Sequence, residues 1–223
     1  SDQRILISGA FTNVNGVARP GLAILLPDGS LDETFTPPAA SQTDTQLNGL
    51  SAFNGQVIVA GSFTNLGGIS RNHVARLMSS GAVDSAFNSP FDRTNTITVQ
   101  FVQSDGKPII SGAFSNVAGV AITNLVRLNT NGSVDTTFSS GLDPSEQVLK
   151  AWAQPDGRLL VLTRYANSFL TWIRRLVRLE ADGALDPFFN PSFEFPGFPF
   201  SGTISSLSLQ PDGKILLGGN FLR

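Results

Sequence analysis

One phrase of about 51 residues is repeated four times along this chain, and a fifth copy has begun at its C-terminal end. The copies match best where each closes: Leu31-Asp32-Glu33-Thr34-Phe35, Val83-Asp84-Ser85-Ala86-Phe87, Val134-Asp135-Thr136-Thr137-Phe138 and Leu185-Asp186-Pro187-Phe188-Phe189. The closing Phe recurs after 52, 51 and 51 residues. A period of roughly this length marks supersecondary units that cannot bury a hydrophobic face alone and must stack. Approximate repeat limits are 1–52, 53–103, 104–154 and 155–210, with a partial copy over 211–223.

The third copy reads most clearly. Ile97 to Gln103 alternates, Ser104-Asp105-Gly106 turns, and Lys107 to Phe114 runs outward. A loop over Ser115 to Ile122 leads to Asn124–Leu128, and Asn131-Gly132 turns the chain into Val134-Asp135. Short β-branched runs punctuated by Asx-Gly predict hairpins. Each copy therefore predicts four short antiparallel strands. The second strand keeps one length throughout, seven positions from Arg4 to Phe11, Lys107 to Phe114, Arg158 to Tyr165 and Lys214 to Phe221. Equal lengths imply the same backbone path in each copy. Such sheets bury both faces by stacking radially, so the predicted fold is all-β, a β-propeller of four four-stranded repeats plus a partial fifth. A β-solenoid ranks second, because its coils are shorter.

The whole reads as one propeller domain over 1–223, or a segment of one. Ser1–Arg4 already aligns with Pro211–Lys214, so we expect a longer polypeptide around it. By count, the second strand occurs five times and the others four, and the spare C-terminal copy is expected to pair with further repeats or another chain.

Composition narrows the function classes. A formal net charge of −2 removes the bulk electrostatic case for nucleic acid. No apolar run reaches the roughly 18 residues of a membrane span, so membrane insertion is not expected. Cysteine is absent, which excludes disulfides, thiol catalysis and thiolate metal sites. Asp outnumbers Glu thirteen to four, the usage of a chain that folds by tight turns.

Gln210–Phe221 reads Gln-Pro-Asp-Gly-Lys-Ile-Leu-Leu-Gly-Gly-Asn-Phe, and Val74–Phe87 carries Val-Ala-Arg-Leu followed by Gly-Ala-Val-Asp-Ser-Ala-Phe. These compound motifs resemble the delta-60 repeat family over essentially the whole chain. The resemblance implies a bacterial β-propeller of secreted or cell-surface proteins, and it carries over no activity and no catalytic residue. Repeat four departs from the pattern at Leu162–Tyr165, where the usual Gly is lost.

Arg76, Arg127 and Arg178 each stand eight residues before Asp84, Asp135 and Asp186. A three-residue hairpin loop places each pair directly opposite, predicting structural ion pairs worth at most about 1 kcal/mol at an exposed site. Repeat one has Ile24 where the Arg should be, which would break any ring of such pairs at Asp32. Asn129, Asn131 and Asp135 together offer a single carboxylate, too few for calcium. His73, the only histidine, reads as a loop residue with no zinc partners. No metal and no cofactor is predicted.

Recurrence argues against catalysis, because a group present in every repeat serves the fold. Function is to be sought where the copies disagree. Between Phe189 and Lys214 the separation is 25 positions against 20 or 21 elsewhere, and it holds Phe193, Phe195, Phe198 and Phe200 among three prolines. Repeat four also rewrites the loop after its second strand, introducing Tyr165, Trp172, Arg174 and Arg175. These eight residues are the candidate partner-binding set, since aromatic and Arg side chains anchor interfaces. Alternatively, the rings plug a groove between sheets. The favoured reading is a non-catalytic module binding protein or glycan at a bacterial surface. The alternatives are a glycoside hydrolase with carboxylates assembled across blades, for which Glu194 is the best single carboxylate, and a purely structural segment.

Overall fold

The computed structural model describes residues 3–38, 47–92, 97–166, 172–191, 203–210 and 212–220. Two compact units share the chain, Ser1–Asp135 and Thr136–Arg223. Both are all-β, in a propeller-like arrangement of several small antiparallel sheets.

The first unit holds three main sheets. The first pairs β1 (Ile5–Ser8) with β4 (Leu22–Leu25), the second orders β5 (Leu47–Phe53), β6 (Gln56–Gly61) and β9 (Val74–Leu77), and the third β10 (Ile97–Val102), β11 (Pro108–Gly112) and β12 (Leu125–Arg127). Between the second and third strands of a repeat lies a small extra hairpin. It is formed by β2 (Asn13–Val14) with β3 (Val17–Ala18) and by β7 (Asn65–Leu66) with β8 (Ile69–Ser70). The third repeat keeps a Val117–Val120 bridge there, inside the stretch predicted as plain loop. In the second unit, β13 (Gln147–Ala153), β14 (Leu159–Ala166) and β15 (Trp172–Leu179) form one sheet, and β16 (Thr203–Leu209) with β17 (Ile215–Asn220) another.

Strand β6 shows why the sheets must stack. Successive side chains of a strand point to opposite faces. Val57 and Val59 pack with Leu22, Ile24 and Phe35 of the first sheet, whereas Ile58 and Ala60 pack with Val99, Ile110 and Val126 of the third. Both faces of the sheet are thus buried, and the strand reads as an unbroken apolar run. In repeats one and two the closing Phe is a wedge between neighbouring sheets: Phe35 and Phe87 are fully buried in these two clusters. Burial of one such ring contributes about 1.5–3 kcal/mol.

The fourth predicted strand is shorter than the repeat suggests. It makes a single bridge to the third in every copy, at Leu25–Leu31, Leu77–Val83, Leu128–Val134 and Leu179–Leu185. The Asp that follows ends it. Asp84 donates its N–H to the Arg76 carbonyl at 2.8 Å, as one more ladder bond, and its carboxylate then accepts the Ala86 N–H at 2.9 Å. That Asx turn bends the chain away from the ladder.

Neighbouring repeats are also joined through backbone. The residue after the closing Phe donates its N–H to the next repeat's last hairpin: Thr36 to Ser80 at 2.8 Å, Asn88 to Asn131 at 3.0 Å and Ser139 to Asp182 at 2.8 Å. The following hairpin residue is Gly81, Gly132 or Gly183. A Cβ on Gly132 would overlap the Asn88 carbonyl, so this Gly is required by proximity as well as by its φ of +90°.

Candidate functional site

The recurring Arg–Asp pairs form where expected, and they are more deeply set than surface pairs. Nε of Arg76, Arg127 and Arg178 donates to the carboxylate eight residues on, at 2.8, 2.8 and 2.7 Å. Side-chain exposure of Asp84, Asp135 and Asp186 is 13%, 4% and 3%, so the expectation for an exposed pair is corrected. In repeats two and four the closing Phe folds back beneath the guanidinium and helps to shield the pair. Arg76 lies 5.1 Å from the Phe87 ring centroid and Arg178 4.7 Å from that of Phe189. Asp, Arg and Phe of repeats two and four thus form one clasp of turn, ion pair and cation–π contact.

Repeat one corrects a second expectation. Asp32 is buried and paired despite Ile24, because Arg4 on the preceding strand reaches it at 3.0 Å. Repeat three uses both positions, with Lys107 and Arg127 on Asp135 at 2.9 and 2.8 Å. The basic residue opening the second strand is therefore an alternate source of the clasp cation.

Hydrogen bonding to the ionised form holds these acids below the usual carboxylate range. For Asp32 the Thr34 hydroxyl acts most strongly, and Arg4 adds to it against burial. Burial opposes ionisation of Asp84, but the Ala86 N–H and Arg76 outweigh it. Asp186 is lowered first by the Phe188 N–H and then by Arg178. Carboxylates held ionised by such bonds are poorly suited to donate a catalytic proton near neutral pH.

The other sequence candidates resolve as turn chemistry or packing. Asn131 Oδ1 accepts from the Ser133 N–H at 3.0 Å and from its hydroxyl at 2.8 Å. His73 sits in a loop but is buried, with Nδ1 2.9 Å from the Gly61 carbonyl and a left-handed backbone of φ +61°. Among the described residues no group of three or more His, Cys, Asp or Glu could hold a metal ion.

Repeat four is built differently. Where its neighbours carry a small hairpin, β14 and β15 continue as one long ladder from Leu159–Leu179 to Ala166–Trp172. Tyr165 pairs with Ile173, Arg164 with Arg174 and Thr163 with Arg175. Arg164 and Arg174 are directly opposite on one face, a like-charge pair that costs stability on a sheet. Arg164 donates to Gln147 Oε1 at 2.9 Å and Arg174 to the Ile204 carbonyl at 3.1 Å. On the other face, Arg175 pairs with buried Glu146 at 2.7 Å. The candidate residues on these strands thus come together, though Arg175 points away from Arg174. The Trp172 side chain and Phe193, Glu194, Phe195, Phe198 and Phe200 lie outside the described residues.

A cavity of about 380 Å3 lies beside Arg174, lined by Leu149, Lys150, Trp152, Leu162, Ile204 and Ser206. Register explains why it opens here. Lys150 pairs with Leu162 and Trp152 with Leu160, and the corresponding positions of repeat two are Gly49 opposite Ala60 and Ser51 opposite Ile58. At Gly49 the next sheet approaches so closely that a Cβ would stand 2.8 Å from the Val99 nitrogen. Ser51 accepts the Val102 N–H at 3.0 Å. A lysine and an indole in place of glycine and serine preclude that approach, and space remains between β13 and β16. A bulge between Val148 and Lys150 sets the direction of this part of the strand.

Lys150 and Trp152 escaped the sequence reading because their strand alternates ordinarily. Only the pairing with Gly49 and Ser51 reveals the substitution. Phe188 was also missed. It replaces Thr34, Ala86 and Thr137 in the clasp turn and is 93% exposed. A second cavity, about 240 Å3, lies against Leu22, Val59, Leu66 and Leu77 in the first unit. Its lining has no charged residue to orient a ligand.

A family model described as a domain of unknown function (DUF5122) beta-propeller matches residues 1–35, 54–87, 103–138, 154–189 and 210–223. These segments cover more than half of the chain, which belongs to that family. Four of them end on the clasp Phe, at Phe35, Phe87, Phe138 and Phe189. No curated protein matches the chain.

Proposed function

We propose that this member of the DUF5122 propeller family is a non-catalytic interaction module, with its binding surface where repeat four breaks the pattern. One observation carries the reading: each recurrent clasp carboxylate, Asp32, Asp84, Asp135 and Asp186, is engaged by a cation of its own unit. The repeated chemistry is thereby directed inward, to the fold. By contrast, Lys150 makes no ion pair among the described residues and lines a cavity where repeat two has Gly49 and Ser51 instead of Lys150 and Trp152. The family pattern leaves the first strand of a repeat free to vary, since residues 47–53, 97–102, 147–153 and 203–209 all lie outside the matched segments.

The delta-60 likeness of Gln210–Phe221 supports a place in a secreted or cell-surface bacterial protein. A glycan array read with wild type and Arg174→Ala tests the module: signal that falls with the substitution supports it, and equal signal removes this surface from the account. Release of reducing ends from a polysaccharide panel would replace the reading with the hydrolase.

A further inference from the structure

The cavity between β13–β15 and β16 has a composition that selects a ligand class. Its floor is Trp152 with Leu149, Leu162 and Ile204, its charged groups are Lys150 and Arg174, and Ser206 adds a hydroxyl. No carboxylate is among these lining residues. Lys150 is exposed and pairs with no described acid, and Arg174 spends one N–H on the Ile204 carbonyl. A guanidinium has five donors, so among the described residues most of its fork remains to be used.

We propose that this cavity binds a carboxylate-bearing saccharide, an inference that rests on the interaction-module reading and names its ligand. Two cations on one wall call for an anion. An indole and aliphatic floor calls for a ligand with a flat C–H face, which a bare phosphate lacks. A hydroxyl beside them suits a polyol. Acid group, apolar ring face and hydroxyls occur together in a uronic acid. The volume, near the lower end for small-molecule sites, matches a short saccharide better than an extended acidic peptide.

The arrangement also gives a reason for the Arg164–Arg174 opposition across the ladder. Placing like charges face to face is unfavourable for the sheet itself, and an anion bound beside Arg174 offsets it. Lys150 stands where repeat two has Gly49, the point at which that sheet meets its neighbour.

The test is calorimetric titration of the full chain with a short oligogalacturonate, its fully methyl-esterified form, inorganic phosphate and a poly-glutamate peptide. Wild type is expected to bind the oligogalacturonate with an affinity that falls with salt, and to bind the ester at least about tenfold more weakly, as for loss of a charge-assisted hydrogen bond. Lys150→Glu, at an exposed site, should weaken binding by a similar factor with an unchanged melting temperature, and Trp152→Ser should weaken acid and ester alike. Equal binding of acid and ester overturns the proposal, as does preference for phosphate or for the peptide. Failure to bind any of the four probes also overturns it. Retention of other glycans on the array would then leave the module reading standing, and an array signal indifferent to Arg174 would remove that reading separately.

Discussion

Asp32 takes its cation from Arg4, 28 positions upstream and 3.0 Å away, while the residue directly across the ladder from it is Ile24. Repeats two to four take theirs from the opposing Arg. What the repeat preserves is a neutralised carboxylate at a fixed place, and two strands can supply the charge.

This predicts a rescue. Arg4→Gln should lower stability by about 3–5 kcal/mol, the cost of leaving one partner of a buried pair uncompensated, reduced by whatever water reaches the site. Adding Ile24→Arg should recover part of the loss by copying repeats two to four. Urea unfolding midpoints of the two variants check it; no recovery would mean that the cation must come from the second strand in this repeat.

Asp135 is held twice, by Lys107 and Arg127, so the three truncations should rank unequally. Asp135→Ala strands two cations together and should cost the most, about 3–5 kcal/mol. Arg127→Ala and Lys107→Ala should each cost less, because the other cation remains. A double-mutant cycle on the two basic residues, read by denaturant unfolding, should be strongly non-additive.

Two glycines separate backbone strain from close packing. Gly29 and Gly132 have φ of +83° and +90° in equivalent hairpins, but only Gly132 faces a neighbouring carbonyl, that of Asn88. Gly29→Ala should cost about 1–2 kcal/mol from the left-handed backbone alone. Gly132→Ala should cost clearly more and lower the melting temperature further. Equal losses would show that the joint between repeats yields easily.

Acid should loosen the clasps. The folded-state pKa values of Asp32, Asp84 and Asp186 lie below the ordinary value. Their contribution is therefore complete above the unfolded value of about 3.9, and it is lost as pH falls through the folded values. Unfolding midpoints should stay level for these groups from neutral pH to about 5 and drop steeply below about 4. Arg178→Gln should make that drop shallower, because the folded value of Asp186 moves back toward the unfolded one.

Phe188→Ala should change stability by less than about 0.5 kcal/mol, because the ring is 93% exposed. Thermal melts of the variant decide it; a large loss would mean that the ring packs on something the fold requires.

The stack of sheets was legible in the sequence because its causes are local and periodic: Asx-Gly turns, alternating strands and a Phe at constant spacing. The ion pairs followed from hairpin arithmetic, and Arg76 does stand opposite Asp84. Their burial did not follow, since it depends on Phe87 folding back beneath Arg76, a contact that spacing leaves undetermined. The small hairpins β2–β3 and β7–β8 also escaped, being two-residue strands within polar loops. Of the candidate site, Arg174 was visible because it lies in rewritten sequence. Lys150 and Trp152 acquire meaning only through the strands that Gly49 and Ser51 allow to meet elsewhere.

The N–H that Thr36, Asn88 and Ser139 each pass to the following hairpin ties one repeat to the next through the same backbone position. A gene encoding such a protein is suited to losing or acquiring modules in whole-number steps, because each new junction renews this backbone bond. A cut that removed the donor residue from its acceptor's glycine would leave two faces that no longer mate.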